Sequence, residues 1–290
     1  MTITVESTQV RDVNVSNFVE RHRIASFFIL TYAISWSAMG LILLGLGEIV
    51  SGPAFLIAQF GPAIAGVIMV WASGESLREF AARLVKWRVP ARWYLVSLAL
   101  PAALTLVTSI WLLVLDFPVD YALVLERLPA YIPSLLMITL IAGLGEEPGW
   151  RGFALPHLQQ RFSPVKATAV LGLLWATWHF PLLFIDQEFQ ALPLGGTEVL
   201  VGVILLTLVM IASLAFFYTW IYNHTGSVLV MMLLHGSITT AQGIFLPLSF
   251  EASHDASYPL LLLSITGTIV AAVVILVYAT KGRLGHGSEA

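Results

Sequence analysis

The chain has 290 residues, of which 58% are hydrophobic and only 11% charged, and its mean hydropathy is +0.87. Soluble domains carry about 25% charged residues, so the composition excludes an ordinary soluble globule and implies a polytopic membrane protein. The net charge of −3 says nothing about partners, because charge is segregated along the chain, and the absence of cysteine removes any disulfide framework, thiolate nucleophile or thiolate metal ligand.

Residues 1–23 form a polar arm without the apolar stretch of a cleavable signal peptide. Apolar spans are then expected at 24–46, 53–72, 93–115, 131–145, 167–185, 199–221, 227–245 and 259–280, followed by a polar tail at 281–290. The expected fold is therefore all-α: a polytopic membrane bundle of about eight transmembrane helices, with one membrane domain over 24–280. A span needs about 20 residues, with a range near 17–25, so the fourth, at 15, is short. The loop 74–92 is basic and reads as an anchor for anionic lipid or as a topology signal alone.

Lys and Arg set the orientation. With the N-terminus in the cytoplasm, 13 of the 14 lie in cytoplasmic segments, Arg151 among them, and only Arg127 lies outside. This satisfies the positive-inside rule and places both termini in the cytoplasm of a multi-pass protein, with the cell membrane as the expected location. The outer loops are acidic, with Asp116, Asp120, Glu126, Asp186, Glu188, Glu251 and Asp255.

Five ionisable groups fall inside this apolar sequence: Glu146, Glu147, Arg151, His179 and His235. A charge in hydrocarbon costs roughly 2.5–3.5 kcal/mol on insertion scales, so such groups are paired or used. At about 1.5 Å per residue, Glu146 lies roughly 22 Å inward from residue 131, some 8 Å short of the cytoplasmic boundary. The same arithmetic puts His179 about 20 Å, and His235 about 12 Å, from the cytoplasmic side. The three depths permit one shared pocket open to the cytoplasm.

Glu147 and Arg151 are spaced i,i+4 and can neutralise each other, which leaves Glu146 as the working carboxylate. Pro148 should release the carbonyl of Leu144 and kink the helix. Trp175, one turn before His179, either walls a pocket or packs. Thr239 and Gln242 continue the stripe begun by His235, as a cavity lining or as packing. His157 reads as solvated, and Gly61, Pro62 and Gly66 as a close helix–helix contact. No phosphate loop, nucleic-acid module or serine nucleophile elbow stands out.

Taken in order, Glu146-Glu147-x-x-x-Arg151, then Trp175-x-x-x-His179, then His235 four residues before a polar side chain, resembles the CPBP family. That family comprises the type II CAAX prenyl proteases and the bacteriocin-processing (Abi) intramembrane proteases. The likeness is densest over 140–245 and extends to Arg151-Gly152-Phe153 and Trp178-His179-Phe180-Pro181. Two positions depart from the family pattern: Trp175 stands where Phe is usual, and Thr239 where Asn or Asp is usual.

The resemblance implies an eight-helix membrane endopeptidase in which Glu146 and His179 activate water. His235, with position 239, would stabilise the tetrahedral intermediate. It also leaves open a zinc site made by Glu146, His179 and His235. The implied partners are a peptide or protein substrate, lipid-modified or not, and membrane lipids. CAAX-type C-terminal processing and bacteriocin or peptide maturation are both uses of the family. From other classes, a proton-coupled transporter and a catalytically silent scaffold or immunity protein share the feature of buried Glu and His.

Overall fold

The computed structural model describes residues 22–45 and 48–287. The arm expected at 1–23 lies almost wholly outside the described residues, as do the last three residues of the tail. The fold is all-α, about 80% helical, with no strand among the described residues. A chain this apolar must satisfy its backbone groups internally, because the bilayer core offers no water to bond them.

The helices are α1 (Arg23–Leu43), α2 (Glu48–Ala72), the short α3 (Leu77–Leu84), α4 (Ala91–Val114), α5 (Ala122–Gln159), α6 (Pro164–Trp178), α7 (Thr197–Thr225), α8 (Val228–Phe245) and α9 (Tyr258–Ala279). Eight of them, all but α3, are long and apolar enough to cross a membrane among the described residues, with α6 extended by a tight turn to Phe184. This is an integral membrane protein. One end of the bundle carries the basic segments and the other the acidic loops. At the basic end α3 is capped by Ser76, whose hydroxyl accepts from the Glu79 amide at 3.2 Å, and is pinned by the buried Phe80.

The fourth span departs from expectation. It does not stop at residue 145 but runs 38 residues to Gln159. Two π-helical stretches, Thr139–Gly143 and Pro148–Ala154, flank the α-helical turn Leu144–Glu147. A proline has no N–H and crowds the carbonyl four residues back. The wider π turn absorbs that defect at Pro148, so the helix continues instead of breaking. Such turns recur at functional sites.

The motif is therefore not a loop. Every residue from Gly145 to Leu155 is buried, and Arg151, fully buried, is no cytoplasmic loop charge.

Glycine makes this burial possible. A Cβ at Gly145 would lie 2.5 Å from the Gln59 carbonyl oxygen of α2, and one at Gly149 would overlap the Pro62 backbone. The expected contact at Pro62 and Gly66 is thus made with the motif itself. Close backbone approach of this kind is how membrane helices pack when no water drives them together.

The basic end of α5 is tied to its neighbours by a polar cluster. His157, expected to be solvated, is buried. It bonds the Phe153 carbonyl through Nδ1 at 2.7 Å and Glu75 through Nε2 at 2.8 Å. Arg23 donates to the same Glu75 oxygen at 3.0 Å. The difference follows from the length of α5, which carries His157 inside the bundle.

Candidate active site

Four side chains from three helices line one cavity of about 380 Å³: Glu146 from α5, His179 at the end of α6, and His235 and Thr239 from α8. Gln59 and Phe55 of α2 and Leu182 complete its wall with residues of α5. The three spaced motifs do converge. His235 Nε2 lies 3.9 Å from Glu146 Oε1.

Each group is held from behind. Glu147 is fully buried and accepts from Arg151 Nη1 with both oxygens, each at 3.0 Å. The expected pair is present, and it does more than neutralise. Glu147 Oε1 also lies 2.9 Å from His235 Nδ1. A carboxylate only accepts, so Nδ1 carries the hydrogen and Nε2 is left for the cavity.

His179 shows the same division. Its Nδ1 lies 2.8 Å from the Trp175 carbonyl, which again only accepts. A fixed Nδ1–H leaves Nε2 as the ring's working nitrogen.

Arg151 is sandwiched between aromatic faces. Its Cζ sits 3.9 Å from the Tyr218 ring centroid and 4.3 Å from that of Trp175. Both distances are well inside the range of a cation–π contact. Among the described residues its Nε and Nη2 have no hydrogen-bond partner, and the rings and Glu147 are its neighbours of opposite charge or π character.

Glu146 is 2% exposed. Its Oε2 accepts from Trp175 Nε1 at 2.7 Å and from Trp150 Nε1 at 3.3 Å. Trp175 does not wall the cavity as one of its lining residues. It grips the carboxylate and lies edge-on to both histidines, 5.6 Å from His179 and 6.1 Å from His235 between ring centroids.

Over residues 128–241 the chain matches the model of the type II CAAX prenyl endopeptidase Rce1-like family. This segment is similar to that family. It contains all seven site residues, from Glu146 to Thr239. Over 60 residues the chain is 43% identical to CAAX prenyl protease 2 of Methanococcus maripaludis, which is 21% of this chain and 22% of that protein. The matched stretch spans about a fifth of the length of that curated relative.

Two expectations need correction. Gln242 does not join the catalytic stripe. It lines a second, largely apolar cavity of about 420 Å³ farther along α8, with Arg127, Met210 and Tyr258. The stripe ends at Thr239 because Gln242 lies three residues on, where the wall is formed with α4, α7 and α9.

The second correction concerns depth. Phe55 is seven residues into α2, Leu182 two residues from the end of its span, and Thr239 six from the end of α8. All three belong to the acidic half of the bundle, not the basic half toward which the cavity was expected to open. The cause is the length of α5: Glu146 lies thirteen residues, about 20 Å, from the helix end at Gln159.

Among the described residues no three His, Asp or Glu side chains are grouped as a metal ion would require. One oxygen of Glu146 is already engaged by two indoles. The other oxygen of Glu146 and the Nε2 atoms of His179 and His235 remain for the cavity.

Glu147–His235, Trp150–Glu146 and Tyr218–Arg151 were not anticipated. Only Trp150 had a local signal, being four residues after Glu146 and so on the same helix face. The other two contacts join helices far apart in sequence.

Proposed function

We propose that this chain is an intramembrane endopeptidase that hydrolyses a peptide bond with water activated at Glu146 and His179. The observation that carries the reading is the shared cavity, into which Glu146 offers Oε1 while each histidine, anchored through Nδ1, offers Nε2.

Water bound between Glu146 and His179 loses a proton to Glu146 Oε1 as its oxygen bonds to the scissile carbonyl carbon. The carbonyl electron pair moves onto oxygen. His235 Nε2, donating when the ring holds its second proton against Glu147, and the Thr239 hydroxyl receive that oxyanion. Collapse of the intermediate breaks the C–N bond, and the proton held by Glu146 passes to the leaving amine. General-base help of this kind is worth about 10²–10⁴-fold.

The substrate is a protein or peptide presented from the bilayer. The Rce1-like match and the name of the Methanococcus relative support a prenylated C-terminal peptide. Bacteriocin maturation has no such support. We infer from the distribution of Lys and Arg that both termini and the basic helix ends face the cytoplasm. The site then lies from mid-depth toward the outer half.

The test is endopeptidase assay of the purified, reconstituted protein on prenylated and unprenylated peptides, with and without a strong chelator. Cleavage insensitive to chelation fits the mechanism above. Cleavage abolished by chelation and restored by zinc would replace it with a metal mechanism. No cleavage of any peptide would favour a transporter or a scaffold.

A further inference from the structure

Glu146 has two oxygens in unlike surroundings. Oε1 lies 3.9 Å from Nε2 of His235, which shares the cavity wall with Glu146. Oε2 accepts two indole N–H groups, from Trp175 of α6 and Trp150 of α5. Indole Nε1 is a donor only, so neither contact can reverse, and neither donor can take a proton from the carboxylate. A lone carboxylate in an apolar bundle can turn about its last torsion, which is broad and two-fold. Two donors converging on one oxygen from different helices remove that freedom.

We propose that Trp175 and Trp150 form an indole clamp that holds Oε2 and dedicates Oε1 of Glu146 to the proton transfer, with Trp175 the dominant positioning residue. The proposal rests on the reading of Glu146 as the base. Phe, the usual residue of the family at position 175, has no donor, so this chain adds a constraint through the side chain in which it departs from the pattern.

The two indoles differ in a useful way. Trp175 makes the shorter bond, 2.7 against 3.3 Å. Trp150 is the more deeply packed: it is fully buried against Phe27, Phe28 and Trp178. A merely structural role makes Trp150→Phe the more damaging change in every assay. A positioning role crosses the order.

Two measurements test this. The first compares kcat, KM and melting temperature of Trp175→Phe and Trp150→Phe in the full-length protein. Trp175→Phe should lower kcat roughly 10- to 100-fold, the factor expected for losing one hydrogen bond to a charged group, with KM within about two-fold. Trp150→Phe should lower the melting temperature more and kcat less. The reverse order in kcat, or a parallel fall of kcat and stability in both variants, overturns the clamp.

The second is independent of peptidase activity. The indole ¹H–¹⁵N resonance of Trp175, identified by its loss in Trp175→Phe, should lie downfield in the wild type and move upfield in Glu146→Gln, where a charge-assisted bond becomes a neutral one. A Trp175 resonance unmoved by Glu146→Gln overturns the clamp even if peptidase activity is found. If the resonance moves and no peptide is cleaved, the clamp stands and the catalytic reading fails.

Discussion

Replacing Arg151 with alanine should unfold much of the protein, and the size of the effect follows from its surroundings. Arg151 and Glu147 are both fully buried and joined at 3.0 Å. Removing one partner of a buried pair costs about 3–5 kcal/mol, because the other charge is left uncompensated. The guanidinium also stacks on Trp175 and Tyr218, and desolvated contacts of that kind are worth up to about 2 kcal/mol each. Against a whole-domain stability of about 5–15 kcal/mol, the loss is a large fraction. At roughly 2–4 °C per kcal/mol for a chain of this size class, the melting temperature should fall by about 6–20 °C from loss of the pair alone.

The assay is thermal denaturation in detergent followed by size-exclusion chromatography, with folded yield recorded alongside. A Glu147→Gln, Arg151→Met double variant removes both charges and should recover most of the stability, since apolar replacement of a complete pair is often close to neutral. An Arg151→Ala protein that melts within about 2 °C of wild type and is merely inactive would refute the structural role. It would indicate that Arg151 touches substrate.

Thr239→Val removes the cavity hydroxyl and should lower turnover by up to about 10²–10³-fold, while Thr239→Asn should hold or raise it; equal rates for all three forms would take position 239 out of the chemistry. Gly145→Ala forces α5 away from the Gln59 carbonyl and should reduce folded yield, read by size-exclusion profile, whereas a normal profile would show the contact to be slack. A single cysteine at Thr239, in a chain with none of its own, should react with an impermeant maleimide from the side opposite the basic helix ends; reaction only from the basic side would contradict the placement of the cavity. Gly149 and Gly236 are unsuited to such labelling, because a side chain at either would strike Pro62 or Thr139.

Much of this was legible in the sequence. Eight spans, their alternation and the segregation of Lys and Arg follow from hydropathy and charge alone. The convergence of Glu146, His179 and His235 followed from the cost of burying charge, and the Glu147–Arg151 pair from i,i+4 spacing. The length of α5 was not legible. The apolar run stops at residue 145 and Pro148 reads as a kink, and only packing against Pro62 and Gly66 of α2 reveals that a π turn carries the helix on to Gln159. That one error displaced the estimated depth of Glu146, mistook His157 for a solvated side chain, and turned the cavity toward the wrong end. Trp175 was legible as a neighbour of His179 but not as a donor to Glu146, because the bond spans 29 residues. Gln242 fails for a simpler reason: it shares the face of His235 but lies about 10 Å farther along the helix, where a different cavity begins.

The central claim is that Glu146 is the base, and one substitution isolates it. Glu146→Gln keeps the shape and an oxygen able to accept from Trp175 and Trp150, so the fold should survive with a melting temperature close to that of wild type. Single-turnover cleavage of a reconstituted peptide substrate should nevertheless fall by about 10²–10⁴-fold. A folded Glu146→Gln protein that cleaves at the wild-type rate would contradict the account.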